Sequence, residues 1–442
     1  MRASELAARA AGAASRLAGR GGTSLPGKLL LRMEPGAIDR LSRPLTSAIL
    51  SATNGKTTTA AMSARILERS GHTLVHNRAG ANMAGGVATA LLRGRGDTGL
   101  FEVDEFWLPQ VLTQVRPRAL LLANLFRDQL DRYGELETIA ERWAQALQST
   151  PVEQLVLNAD DPVVADLGRE RRPLYFGVED NGMAMAQMQH AADAKHCRRC
   201  GAAYVYDAIF MGHLGHYHCP NCDARRPQPQ VTAHHITLQG TRRARFELRT
   251  PAGVADVDLP LPGLYNVYNA LAAAALGLAL GAPLDDVVSG LQEVSPAFGR
   301  AETVRLRDRD LSILLVKNPA GANEVLRTLT LEPGEHDVFA VLNDNVADGR
   351  DVSWVWDADF EVLAERIRRV TCSGTRAAEM AVRMKYAGVP PERIEVRGDL
   401  AAGLDAAIGD GDGPLYALPT YTAMLALREE LVARGAAKES FT

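Results

Sequence analysis

The eight residues Ser51-Ala52-Thr53-Asn54-Gly55-Lys56-Thr57-Thr58 carry the sharpest local chemistry in the chain. Gly-Lys-Thr after small residues makes a loop whose backbone N–H groups can cradle phosphate oxygens. Lys56 would bring a point charge to the β- and γ-phosphates, and the Thr57 hydroxyl can bind Mg²⁺. Thr53, Asn54, Gly55 and Thr58 complete this candidate ATP site. The general pattern has glycine five residues before Gly55, where Leu50 stands here. A plain Gly-Lys turn before an ordinary helix is the weaker alternative.

Two cysteine pairs give a second signal. Cys197-Arg198-Arg199-Cys200 and Cys219-Pro220-Asn221-Cys222 are separated by 18 residues. Two such knuckles bring four thiolates into a tetrahedron around Zn²⁺. With every position a thiolate the site is closed and structural, so His196, His213, His216 and His218 read as bystanders. Basic residues there are few, which favours a stabilising insert over a nucleic-acid reader. The fifth cysteine, Cys372, reads as a buried inert thiol. A third cluster, Asn343 to Asp359, sets five aspartates and two tryptophans behind the apolar run DVFAVL. It is either an acidic loop capping the next helix through Asp357 or Asp359, or a catalytic or partner-facing loop at a sheet's carboxyl edge.

These residues need a frame. LTSAIL reads as the strand entering the phosphate loop, and TTTAAMSARILERSG as the helix leaving it, closed by Gly71. ALLLAN and QLVLN read as buried strands alternating with helices such as LETIAERWAQAL. SILLV, DVFAVLN, RVTCSG, RIEVRG and PLYALP repeat that alternation near the end, as a mostly parallel Rossmann-type sheet without a Gly-rich dinucleotide fingerprint. The expected organisation is a lead segment 1–45, an α/β nucleotide-binding domain 46–300 interrupted by the Cys/His insert at about 185–232, and a second α/β domain 301–442.

Composition excludes other classes. Lys and Arg number 49 against 53 Asp and Glu, a net charge of −4, so no global basic field points to nucleic acid. Aromatics are 5% of the chain, too few for a stacking platform. No stretch approaches the ~20 apolar residues of a membrane span. The Ala-rich start is cut by Glu5, Arg9, Arg16 and Arg20, so a signal peptide is not expected. A solvated helix is favoured there over one lying on a membrane.

The variant TNGKTT resembles the Mur ligase superfamily, which includes the folylpolyglutamate synthases; their loop usually reads GTNGKT, and Ala52 replaces its first glycine. The likeness continues through Glu102-Val103-Asp104-Glu105, Asn124 to Arg132, Asn158-Ala159-Asp160-Asp161, Gly263 to Ala270 and Phe298-Gly299-Arg300-Ala301-Glu302. By that resemblance the chain phosphorylates a carboxylate with ATP and lets an amine attack the acyl phosphate. Glu102, with Glu105 second, would hold Mg²⁺, while Asn266, Asn269 and Arg300 would contact the nucleotide. Gln129 replaces a metal-binding histidine, and Trp143 falls where many members carry a carbamylated lysine, which puts a second Mg²⁺ in doubt. The loop begins near residue 51, leaving too little chain ahead for a full UDP-sugar-binding domain.

The short front, the four-cysteine insert and the segment NDNVADGRDVSWVWDADFE together resemble the MurT family, the synthetase subunits of lipid II isoglutaminyl synthase. The resemblance covers almost the whole chain. It implies a Mur ligase-like central P-loop ATPase domain with an inserted four-cysteine zinc ribbon, then a Rossmann-like C-terminal α/β domain. It implies ATP, Mg²⁺ and Zn²⁺, and amidation of the D-glutamate α-carboxylate of the lipid II stem peptide in peptidoglycan synthesis. The ammonia would come from a GatD-like glutaminase partner. It further implies a cytoplasmic setting, with peripheral contact at the inner membrane face left open, and no nucleic acid. An aspartate of the last domain would complete the partner's Cys–His pair; that role is carried to Asp351, with Asp348 second. The rivals are a stand-alone Mur or folylpolyglutamate-type amino-acid ligase and a zinc-ribbon, nucleotide-dependent binding protein.

Overall fold

The computed structural model describes residues 2–17, 24–77, 80–128, 136–190, 192–294, 302–409, 411 and 413–437. Among them, two sheets organise the chain. The larger contains β1 (Thr46–Ser51), β2 (Leu74–His76), β3 (Thr98–Glu102), β4 (Ala119–Leu122), β5 (Gln154–Asn158) and β6 (Leu174–Val178). After the hairpin β7 (Val205–Met211) and β8 (Leu214–His218), it continues with β9 (Val231–Gln239), β10 (Arg243–Thr250) and β11 (Gly253–Leu259). The strand order is β11-β10-β9-β6-β5-β4-β1-β3-β2. Pairing is parallel from β2 to β9, and β10 and β11 are added antiparallel.

The parallel strands are mostly apolar and buried because helices cover both faces. On one face lie the helices Lys56–Arg69 and Leu264–Ala279. The run Ala270 to Ala275 is fully buried there, and its small side chains let the second helix pack closely against the first and the sheet. On the other face lie Ala84–Arg93, Leu108–Val115 and Leu136–Ser149, whose apolar stripes close the second core. Strand β1 sits between β3 and β4, where the order of connection reverses. A crevice opens at such a switch point, beyond the carboxyl ends of the strands. The phosphate loop leaves β1 there.

The smaller sheet has β12 (Glu302–Leu306), β13 (Arg309–Ile313), β14 (His336–Val341), β15 (Ile367–Ser373), β16 (Ile394–Val396) and β17 (Leu415–Pro419) in the order β12-β13-β17-β14-β15-β16. All its pairs are parallel except β12 with β13. The acidic loop leaves the carboxyl end of β14. Between β6 and β9 the chain makes the hairpin β7–β8 and the two cysteine knuckles. Ahead of β1, the helices Ala3–Leu17, Leu25–Met33 and Ala37–Ser42 pack with Ala84–Arg93. No helix of the described residues is long and apolar enough to cross a membrane.

Candidate active site

Gly55 sits at the turn from β1 into the helix Lys56–Arg69 with φ of 82°. A side chain is excluded twice over, because a Cβ there would stand 1.9 Å from Asn269 Oδ1. Leu50, at the position of the general pattern's first glycine, is simply a buried residue of β1. Ala52 places its methyl in the core beside β1, so the Ala-for-Gly change crowds nothing.

Asn54 is gripped from two sides. Its N–H donates to Asn124 Oδ1 at 2.9 Å, and Asn124 Nδ2 returns a bond to its carbonyl at 3.0 Å. Its side-chain amide pairs with that of Asn318, 2.9 and 3.2 Å for the two bonds. Asn318 caps the helix Pro319–Thr330 by accepting from Gly321 N–H. One amide pair thus fastens the phosphate loop to the chain's second half. Thr53 Oγ1 fixes the loop to Phe126 through its N–H and its carbonyl.

Lys56 is buried, donating to the Ala52 and Thr53 carbonyls and to Glu105 Oε2 at 2.8 Å. Burial works against its charge, but Glu105 and Asp104 outweigh it and hold the ammonium above its usual range. Glu105, the second choice for Mg²⁺, is therefore engaged by the lysine. Trp143 Nε1 donates to the Glu105 carbonyl at 2.9 Å, so the indole fixes the loop that positions this ion pair. Thr57 Oγ1 donates to Glu102 Oε1 at 3.1 Å, and Asn82 Nδ2 lies 3.5 Å from the same oxygen. A hydroxyl and a carboxylate this close at a helix start form a donor set suited to Mg²⁺, a hard cation that takes oxygen ligands.

Asn269 accepts from Thr59 Oγ1 at 3.3 Å and donates to Asn266 Oδ1 at 3.0 Å, while Asn266 donates to the Pro262 carbonyl. Thr53 to Thr58, Glu102, Asn266 and Asn269 all line one cavity of about 320 Å³, closed from the other side by Lys317, Gly321 and Tyr421. Arg300 and Gln129 lie outside the described residues.

Asp351 is not part of that cavity. It lines a smaller one with Arg127, Trp354 and Asp357; Asp128 and Lys317, ion-paired at 2.5 Å, line both. Asp351 is exposed, and its carboxylate accepts the Ser353 N–H at 2.8 Å, which lowers its pKa. Asp348 is buried and turned inward, accepting from the N–H and hydroxyl of Thr422. Neither Asp357 nor Asp359 is the N-cap of the next helix, since Phe360 precedes Glu361–Ala364; Asp357 ends the short 3-10 helix Ser353–Trp356. Asp359 instead meets Asn323 and His190.

The four cysteine sulfurs lie within 4.8 Å of one another, with Cys197–Cys222 at 3.6 Å and Cys200–Cys219 at 3.4 Å. Zn–S bonds of about 2.3 Å in a tetrahedron put sulfurs about 3.8 Å apart, so the residues fit the metal. The Ala202 amide, with Asn221 and Cys219, holds the Cys200 thiol down to about 6. His213 packs at a tilt against Phe126 and faces Asp161, and His216 meets the Val178 carbonyl, both as scaffold. The Asn158–Asp161 turn is scaffold too. Asp160 accepts from Tyr268, Val178 N–H and Arg226, and Asp161 caps Pro162–Asp166.

Several residues at the site stand outside the sequence motifs. Asn318 had a signal, since Asn-Pro marks a helix start. Lys317, Asn82 and Glu324 had none.

The fold and this loop define a Mur-type ligase. The Mur ligase middle domain matches residues 51–224, and the MurT ligase C-terminal family matches residues 315–424. The lipid II isoglutaminyl synthase (glutamine-hydrolyzing) subunit MurT of Streptococcus pneumoniae is 33% identical over 420 residues, 93% of each chain. The subunit of the same name from Staphylococcus aureus strain N315 is 33% identical over 95% of this chain and 94% of its own. The pseudomurein peptide ligase type C of Methanothermus fervidus shares the fold with a TM-score of 0.70 at 23% identity, covering 88% of this chain and 79% of that one. The chain belongs to the MurT family.

Proposed function

We propose that this chain is the synthetase subunit of a lipid II isoglutaminyl synthase, with residues 46–300 as its ATP-binding domain and 301–442 as its C-terminal domain. It amidates the α-carboxylate of D-glutamate in the stem peptide. The observation that carries the reading is the end-to-end match to MurT subunits, on a chain whose phosphate loop and second half enclose one cavity.

The substrate carboxylate attacks the γ-phosphorus, ADP leaves, and ammonia then displaces phosphate from the acyl carbon. The loop amides from Thr53 to Thr58 bind the phosphates, and Lys56 offsets their charge. Thr57 and Glu102 would hold Mg²⁺, which neutralises charge on the phosphoryl oxygens when bound. Asn269 supports the loop at Gly55, and Arg300 is assigned to the nucleotide on the family motif alone. Cys197, Cys200, Cys219 and Cys222 would hold Zn²⁺ and give the insert its rigidity.

The nitrogen must come from elsewhere. Four cysteines are committed to the knuckles, and the fifth, Cys372, is buried on β15 with its thiol pushed up to about 12. None suits a glutaminase nucleophile, which needs an accessible thiolate. A GatD-like partner fits this need, and Asp351, exposed with its carboxyl held below the usual range, would orient its histidine. The lead segment suits a lipid-borne substrate: residues 1–45 hold eight Lys and Arg against three Asp and Glu, and Leu25 and Met33 are exposed on one helix with Lys28 and Arg32.

The test is mass spectrometry of lipid II incubated with the chain, Mg-ATP and ammonium, then with glutamine and the glutaminase. Conversion of one carboxylate to carboxamide, from glutamine only with the partner, is expected. Ligation of an amino acid in its place would make the chain a peptide ligase.

A further inference from the structure

The cavity that holds the phosphate loop has four carboxylates in its wall: Glu102, Asp104, Asp128 and Glu324. Three are accounted for, since Glu102 takes the Thr57 hydroxyl, Asp104 the Phe106 N–H and Asp128 the Lys317 ammonium. Glu324 differs. It stands on the helix Pro319–Thr330 with only 2% of its surface exposed, and its Oε1 has no hydrogen-bond partner. Its neighbours along the wall, Tyr265, Ala320 and Val325, offer little to a charge. The near cation, Arg327, is spent on the Phe210 and Met183 carbonyls. Burial pushes the Glu324 carboxyl up to about 7, with Arg327 and the Gln189 side chain pulling the other way. A buried, half-satisfied carboxyl is costly to a fold and is kept where a ligand completes it.

The wall narrows the ligand. Phosphate would be repelled by the Glu324 carboxylate, and a divalent cation would want several oxygen ligands, whereas the other three carboxylates of the wall are already engaged. A small, singly charged hydrogen-bond donor fits. We propose that Glu324 is the ammonia-binding group of the synthetase site, its carboxylate accepting a hydrogen bond and then a proton from the incoming ammonium. This inference rests on the amidation reading above.

The step balances. Ammonium gives one proton to Glu324, and the lone pair of the resulting ammonia attacks the acyl carbon. The C–N bond forms and the C–O bond to phosphate breaks, its electron pair leaving with phosphate. The phosphate takes the surplus proton from nitrogen, and Glu324 returns its own to solvent. A proton acceptor placed in this way contributes about 10² to 10⁴ in rate.

Glu324→Gln keeps the shape and removes the acceptor. The full chain would be assayed with lipid II and Mg-ATP, using ammonium chloride or hydroxylamine as nucleophile. Hydroxylamine is neutral at neutral pH and attacks without prior loss of a proton. The expected result is amide formation from ammonium lowered about 100-fold, with hydroxamate formation within about threefold of wild type. An equal loss of both products would mean a structural role and overturn the proposal, as would full retention of both. A wild-type chain that forms neither product would overturn the amidation reading, and the inference with it.

Discussion

The phosphate loop and the acidic loop both leave the carboxyl end of a parallel strand, β1 and β14, yet they are finished to different degrees. The side chains at the centre of the first are answered from within the chain: Lys56 by Glu105, Thr57 by Glu102, Asn54 by Asn124 and Asn318. The second splits its aspartates. Asp348 is tied to Thr422, whereas Asp351 is exposed and held locally by the N–H and side chain of Ser353. A closed site is preorganised for its own chemistry. On the proposed function, the open carboxylate of Asp351 serves the partner's histidine. The Asp128–Lys317 pair, in the wall shared by both cavities, marks where the two meet.

The largest expected effect breaks the closed side. Lys56→Met should lower amidation by about 10³ with either nitrogen source. The single change strands Glu105 in the interior, and an unpaired buried charge costs about 3 to 5 kcal/mol. The double variant Lys56→Met/Glu105→Gln separates the two losses, since it should regain the thermal midpoint and not the turnover. Recovery of turnover would remove Lys56 from phosphate binding.

Next comes the open side. Asp351→Asn should lower glutamine-driven amidation in the complex by about 10² or more, because the histidine loses its orienting carboxylate. Ammonium-driven amidation should stay near the wild-type rate. Equal losses with both donors would erase the distinction between the loops, and an unchanged glutamine rate would move the role to another aspartate.

Asp348→Asn sharpens the comparison through stability. Burial raises this carboxyl above its usual value despite the Thr422 bonds. A native carboxyl that holds its proton more tightly than the unfolded chain's loses stability as pH rises from the ordinary Asp value through the raised one. The amide cannot titrate, so the variant should lack that decline, at a cost of about 1 kcal/mol for the altered Thr422 bonds. Melting curves between pH 4 and 7 read the slope. A slope that persists would mean Asp348 does not titrate in this range.

Local chemistry was legible wherever neighbouring residues make the site. The phosphate loop and the cysteine knuckles each lie within a few consecutive positions, and β1 and β14 showed as apolar runs because parallel strands are buried on both faces. The motif Asn158–Asp161 was visible, but its use as scaffold depended on Tyr268 and Arg226, far along the chain. The role of Glu105 was hidden in the same way. Glu102 and Glu105 look alike in sequence, and only folding directs one to the Thr57 hydroxyl and the other to Lys56. Glu324 left no pattern, because one acidic residue on a helix normally faces water.

The smallest effect expected concerns the link between the halves. Asn318 has two tasks, capping the helix that carries Glu324 and pairing with Asn54 in the phosphate loop. Asn318→Asp keeps the cap, since a carboxylate accepts from Gly321 N–H as well, but it cannot return a donor to Asn54 Oδ1. Asn318→Ala loses both. The cap alone is worth about 1 kcal/mol, so the alanine variant should melt lower and the aspartate variant should not. Both should raise KM for ATP a few-fold, about 1 kcal/mol of positioning, with kcat for ammonium little changed. A normal KM in the aspartate variant would show that the amide pair does not position the loop, and that the phosphate site is complete within the first half of the chain.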